Sequence, residues 1–133
     1  MSELAIHPED YRVQYTGPEA ELLAEQIAAG LKEAGVNTTP LHKPPSRASF
    51  VAAEVILTIV ATAAAKAVVI AALRAIGRRL KQSKTAGIGE QRLQIVLDKP
   101  GEPKKRFPFS LQDAAGDAVD EFISGVIDAV ADL

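Results

Sequence analysis

The sequence contains no cysteine and no tryptophan, and aromatic residues make up only 5% of its 133 positions. The absence of cysteine excludes disulfide bonds and thiolate metal sites, and it is typical of a reducing compartment. Because aromatic residues are so few, the hydrophobic core must be built from aliphatic side chains. The first twelve residues, MSELAIHPEDYR, hold no apolar run and do not resemble a secretory signal peptide. We therefore expect a cytoplasmic protein.

Clusters of catalytic residue types are also missing. The two histidines, His7 and His42, are not spaced to share a metal ion. Carboxylates four residues apart, such as Asp113 and Asp117, are typical of the solvated face of a helix. Residues 87–89 (GIG) follow a predicted helix end, whereas phosphate-binding loops precede helix N-termini. The sequence therefore predicts no enzyme, no metal site and no cofactor.

Charge is distributed unevenly along the chain. The net charge of −2 is the sum of −3 over residues 1–73, +7 over residues 74–106 and −6 over residues 107–133. Such a distribution can be neutralised inside the fold or between copies, and it can also attract an anionic partner.

The first part of the chain predicts a strand, a helix and a short strand. Residues 11–16 (YRVQYT) alternate between apolar and polar side chains, as in a half-buried strand. Apolar residues then recur at helical spacing up to Gly35, which we expect to cap the helix in a left-handed conformation. Residues 36–43 are compatible with a strand, but Pro40 restricts it to the edge of a sheet.

The longest apolar stretch is residues 49–81, SFVAAEVILTIVATAAAKAVVIAALRAIGRRLK, which contains no proline. This pattern predicts one helix of about 50 Å, at about 1.5 Å per residue. Such a helix is much longer than a compact domain of this size requires. Its length and alanine-rich centre indicate a surface for protein contact or self-association. The residues expected on that surface are Val55, Ile59, Ala63, Lys66, Ile70 and Arg74.

Membrane insertion of the same stretch is an alternative. Residues 55–73 hold one charge, Lys66, and about 20 apolar residues suffice to span a bilayer. However, a central lysine costs about 2.5–3.5 kcal/mol on insertion. Polar residues also recur at multiples of four from Glu54 to Arg78, which favours a soluble helix with one hydrated stripe.

The last part of the chain predicts a hairpin over residues 92–111 and a helix over residues 112–131. The turn KPGEP separates the two strands of the hairpin, and Phe107 and Phe109 share one face of the second strand. In the last helix, apolar residues are expected to point inward and the acidic residues outward.

Taken in order, these elements predict an α/β (α+β) fold with the arrangement β-α-(β)-α-β-β-α. We expect a small mixed sheet of three or four strands and one unusually long central helix. Residues 1–10 are predicted to be a leader, and residues 11–133 a single domain.

The basic residues of the middle third form a candidate anion-binding patch: Arg78, Arg79, Lys81, Lys84, Lys104, Lys105 and Arg106. The structural alternative is that the cations near residue 80 stabilise the C-terminus of a helix. No aromatic residues that could stack on bases interleave with the cluster, so nucleic acid is an unlikely partner.

The layout resembles that of a known family. A strand and helix, a linker, and an Ala/Val-rich segment ending in Arg/Lys are followed by the hairpin sequence RLQIVLDKPGEPKKRFPF and a closing helix. This arrangement, which covers most of residues 11–130, resembles the effector-associated constant component family. Those are small accessory domains of bacterial conflict systems, encoded beside variable effectors, proteases or NTPases. The resemblance implies an adaptor or signal-coupling role without catalytic residues.

Three functions are therefore open at this point. The first is a non-enzymatic adaptor of a bacterial defence or conflict system that binds a protein partner or a second copy of itself. The second is a membrane-active effector that inserts residues 49–81. The third is an anion or nucleic-acid binder that uses the basic region of residues 74–106.

Overall fold

The computed structural model describes residues 10–44, 53–83, 92–110 and 116–132. The α/β class predicted from the sequence is confirmed, but the sheet has five strands rather than three or four. The elements in chain order are β1 (Tyr11–Thr16), a 3-10 turn (Pro18–Ala20), α1 (Glu21–Glu33), β2 (Leu41–His42), β3 (Glu54–Val60), a second 3-10 turn (Ala63–Ala65), α2 (Lys66–Ser83), β4 (Arg92–Asp98), β5 (Lys105–Ser110) and α3 (Gly116–Ala131).

The sheet is mixed, with the strand order β2-β1-β3-β4-β5. β1 pairs in parallel with β2 and antiparallel with β3. β3 and β4 are parallel neighbours, and α2 is the crossover between them, as parallel pairing requires. β4 and β5 form the antiparallel hairpin that the sequence predicts.

The single helix predicted for residues 49–81 is wrong, because residues 54–60 form a strand and helix α2 begins only at Lys66. The side chains of Val55, Leu57 and Ile59 are fully buried, while those of the residues between them are half-buried. This period of two is that of a strand, and the β-branched residues of EVILTIV favour one. At about 1.5 Å per residue α2 is about 27 Å long, so it fits the domain without projecting from it.

Two turns are determined by glycine. Gly35 has φ 90° and ends α1, as predicted. Its N–H donates to the carbonyl oxygen of Lys32 at 2.9 Å, and the N–H of Val36 donates to the carbonyl oxygen of Leu31 at 2.9 Å. Gly101, at φ 83°, occupies the third position of the turn between β4 and β5, where a type II turn needs glycine.

The three helices form one layer over one face of the sheet. α2 lies between α1 and α3 and contacts both. The buried core cluster contains alternate residues of β1, β3 and β4 together with residues from all three helices. None of the intervening residues of those strands belongs to the cluster. The described part of the chain is therefore a two-layer α/β sandwich.

The core is aliphatic, as expected, with Tyr11 as its one fully buried aromatic side chain among the described residues. The hydroxyl of Tyr11 has no hydrogen-bond partner within the part of the chain that the structure describes. Burial, together with the nearby carboxylate of Asp10, raises the pKa of this hydroxyl, so the phenol stays neutral inside the fold.

Two glycines allow the helices to approach each other closely. A Cβ added at Gly30 of α1 would lie 2.9 Å from Cγ1, 3.1 Å from the backbone N and 3.2 Å from the Cα of Ile76. A Cβ at Gly77 of α2 would lie 3.1 Å from Cγ1 of Ile123. The packing of α2 against α1 therefore depends on the absence of a side chain at Gly30, and its packing against α3 on the absence of one at Gly77.

We predict that Gly30→Ala lowers the free energy of unfolding by about 1–2 kcal/mol, because overpacking against the Ile76 backbone outweighs the gain in helix propensity. Urea denaturation measures this change. The matched control is Gly125→Ala in α3, where an added Cβ meets nothing within 4 Å. That variant should gain up to about 1 kcal/mol from propensity alone. Equal effects of the two substitutions would contradict the close contact between α1 and α2.

Candidate functional site

The face of the sheet opposite the helices carries no described helix. Strand pairing places its residues in rows that cross four strands. The first row is Arg12, Thr58, Val96 and Arg106; the second is Gln14, Ile56, Gln94 and Pro108; the third is Thr16, Glu54, Arg92 and Ser110. Val60 and Asp98 form a short fourth row. We refer to these fourteen residues as the open face.

The centre of the open face is aliphatic. Ile56 and Val60 are half-buried on the middle strand of the sheet. Val96, on the adjacent strand, is only 3% exposed although it does not belong to the core cluster beneath the helices. Leu41 of β2 pairs with Gln14 and adds a side chain that is 60% exposed. The middle of the open face is therefore aliphatic, partly exposed at Ile56 and Val60 and buried at Val96, and Leu41 adds exposed apolar surface at the β2 edge.

Three arginines surround this centre. Arg12, Arg92 and Arg106 are exposed and form no ion pair with any residue in the described ranges. The carboxylates of the same face, Glu54 and Asp98, are half-buried. The open face therefore carries three arginines against two carboxylates, a net charge of +1, and its exposed charges are the arginines.

The opposite side of the sandwich carries the acidic face of α3. Residues 116–132 contain five carboxylates and no basic residue. All five are exposed, as predicted: Asp117, Asp120, Glu121, Asp128 and Asp132. In the described part of the chain only Asp120 is paired, with its Oδ1 2.5 Å from Nζ of Lys81. Within α3, Asp117, Glu121 and Asp128 therefore form no ion pair with a residue in the described ranges, and Asp132 follows the helix and lines a cleft with Lys99.

The candidate anion patch is not brought together by the fold. Arg79 donates from Nη1 to Oε1 of Gln26 at 3.2 Å and from Nη2 to Oε1 of Glu33 at 2.8 Å. Nη2 of Arg78 lies 3.8 Å from Oε2 of Glu33. These arginines link α2 to α1, while Lys81 links α2 to α3.

The remaining members of that patch lie elsewhere. Lys105 pairs with Leu97, near the C-terminal end of β4, whereas α2 leads into the N-terminal end of β4. The seven residues of β4 separate these two ends by about 23 Å. Lys104 and Arg106 flank Lys105, and Lys84 lies outside the described residues.

The six residues predicted for an interaction helix do not share a surface either. Val55 and Ile59 lie in β3 and are fully buried. Ala63 is exposed in the second 3-10 turn. In α2, Lys66 and Ile70 are half-buried and Arg74 is exposed.

A cleft of about 400 Å³ lies at the carboxyl ends of β3 and β4. Its lining includes Thr62, Lys99, Glu102 and Asp132. Lys99 is 6% exposed and is the single buried charged residue of the described ranges. Because two carboxylates face one ammonium group, the cleft does not favour an anion.

Within the described ranges, no three histidine or acidic side chains are placed to hold a metal ion. None of the helices in those ranges has both the length and the hydropathy needed to cross a membrane. The open face was missed by the sequence reasoning. The signal that could have revealed it is the alternation of Ile56, Thr58 and Val60 with the buried residues of β3.

Comparison with known proteins found no matching family model, no matching curated protein and no matching solved structure. The function of this chain therefore has to be inferred from its own residues.

We predict that Arg79→Ala lowers the free energy of unfolding by about 1 kcal/mol, because it removes two charge-assisted hydrogen bonds that are only partly shielded from solvent. Thermal and urea denaturation test this. Arg74→Ala, on the same helix but exposed and in no ion pair with a described residue, is the control and should change stability by less than about 0.5 kcal/mol. An unchanged free energy of unfolding in Arg79→Ala would show that this arginine does not join α1 to α2.

Proposed function

We propose that this chain is a non-enzymatic adaptor that binds an acidic protein surface through the open face of its sheet. The observation that carries the proposal is the combination of an aliphatic centre with three exposed, unpaired arginines on a face that no described helix covers. Contiguous apolar surface rimmed by polar groups marks interaction sites, and arginine is enriched in protein interfaces.

The edges of the sheet are less suited to binding a partner strand. At one edge, Pro108 of β5 lacks an N–H group and so limits pairing with another chain. Near the other edge, the segment after α1 runs along β1. Oγ1 of Thr38 donates to the carbonyl oxygen of Tyr11 at 3.2 Å, and the N–H of Lys43 donates to the carbonyl oxygen of Tyr15 at 2.7 Å. Contact through the side chains of the open face is favoured over strand addition.

The position of the aromatic rings favours protein over single-stranded nucleic acid. Phe109 stacks on Phe122 of α3, with ring centroids 4.6 Å apart, and Phe107 packs against the core. Tyr11 and Tyr15 also lie on the helix side of β1. Among the described residues the open face therefore offers no ring on which a base could stack.

The layout resemblance to effector-associated constant components supports an adaptor role. We extend the proposal accordingly to a cytoplasmic accessory domain in a bacterial defence system, where the bound protein would be an effector or another copy of the adaptor.

Site-specific photo-crosslinking in the source cells tests the adaptor proposal. A photoreactive phenylalanine analogue replaces Gln94 on the open face or, as the control, Ala71 on the exposed side of α2. Both variants are first confirmed to unfold at the wild-type temperature. We expect protein adducts from position 94 only, with the cross-linked peptide in an acid-rich segment. Adducts to nucleic acid or lipid, or equal adducts from both positions, would contradict the proposal.

A further inference from the structure

Two oppositely charged surfaces lie on opposite sides of this molecule. The open face carries Arg12, Arg92 and Arg106, and the outer side of α3 carries Asp117, Glu121 and Asp128, none of which forms an ion pair with a described residue. The sheet and its helix layer separate the two surfaces, so they cannot neutralise each other within one chain. They can do so between two chains.

We infer that the acidic surface bound by the open face is the outer face of α3 from a second copy of this chain. This inference rests on the proposed adaptor function, because it names the partner of the same site. Each copy would use its open face for one neighbour and its α3 for another, which gives a head-to-tail assembly.

The spacing of the charges fits such a contact. Arg12 and Arg106 lie in one row of the sheet with two strands between them, which separates them by about 14 Å. Asp117 and Asp128 lie eleven residues apart on one side of α3, which corresponds to about 16 Å along the helix axis. One carboxylate of α3 can therefore reach each arginine of the row.

Between these carboxylates the outer side of α3 carries Glu121 and two small residues. Ser124 and Gly125 are exposed on the outer side of α3, and an added Cβ at Gly125 meets nothing within 4 Å. At these two positions no large side chain would separate the helix from Ile56 and Val96, at the centre of the open face. A large side chain at either position would hold the two surfaces apart.

The contact joins two different surfaces, so it is heterologous and can continue into open chains of molecules. Exposed ion pairs are individually weak and are screened by salt. We therefore expect association at high protein concentration and low salt, and its loss at about 1 M salt, where the screening length is about 3 Å.

Sedimentation velocity with two complementary variants tests the inference. The sheet variant is Arg12→Gln with Arg106→Gln, and the helix variant is Asp117→Asn with Asp128→Asn. Each variant alone should associate about tenfold more weakly than the wild type, because two ion pairs are lost. Their equimolar mixture should regain one contact, between the acidic helix of the sheet variant and the open face of the helix variant. It should therefore form dimers that do not grow further.

Lys32→Gln removes an exposed cation at the end of α1, outside both surfaces, and should associate like the wild type. A wild type that stays monomeric at low salt, or variants that associate as strongly as the wild type, would overturn the inference. Growth of the mixture beyond dimers would also overturn it. If the wild type is monomeric while position 94 still cross-links to another acidic protein, the self-association fails and the adaptor function stands. If neither is observed, both fail.

Discussion

The burial of Val55, Leu57 and Ile59 beneath α2 is the interaction on which the rest of the structure depends. Successive side chains of a strand point to opposite faces of the sheet. Because these three pack against the helices, Ile56, Thr58 and Val60 lie on the other face. α2 is held over them from both sides, with Gly30 of α1 and Ile123 of α3 at the points of closest approach. All three helices are thus on one side, and no described helix covers the second face of the sheet.

The sequence patterns predict the elements with a clear period and fail where two elements join without a break. β1, the cap of α1 at Gly35, the β4–β5 hairpin and the acidic outer side of the last helix can all be read from alternation, turn residues or charge. β3 was missed because EVILTIV continues into the helix-forming ATAAAK without proline or glycine, and a short apolar run fits a strand as well as a helix. The change from β-branched residues to alanine is the remaining sequence signal for the end of the strand.

The basic residues show why a site is harder to predict than a fold. Arg79 and Lys81 lie in the same turn of α2 but bind acceptors on α1 and α3, respectively, which no local pattern reveals. Arg12, Arg92 and Arg106 are far apart in sequence and meet on one face only through the pairing of β1, β3, β4 and β5. The fold thus divides the cations into those that join helices and those that remain available. The available ones lie on the opposite side of the molecule from the acids of α3, which is the physical basis of the proposed adaptor role and self-association.

The central claim is that one face of the sheet is open in the single molecule and becomes covered on association. Methyl NMR with a soluble paramagnetic agent tests it most directly, comparing Ile56 with its neighbour Leu57 on the opposite face. In dilute protein, the Ile56 methyl groups should relax much faster than those of Leu57, which is fully buried. At high concentration and low salt, this enhancement should fall for Ile56 and stay unchanged for Leu57. An Ile56 as protected as Leu57 in dilute protein would contradict the account.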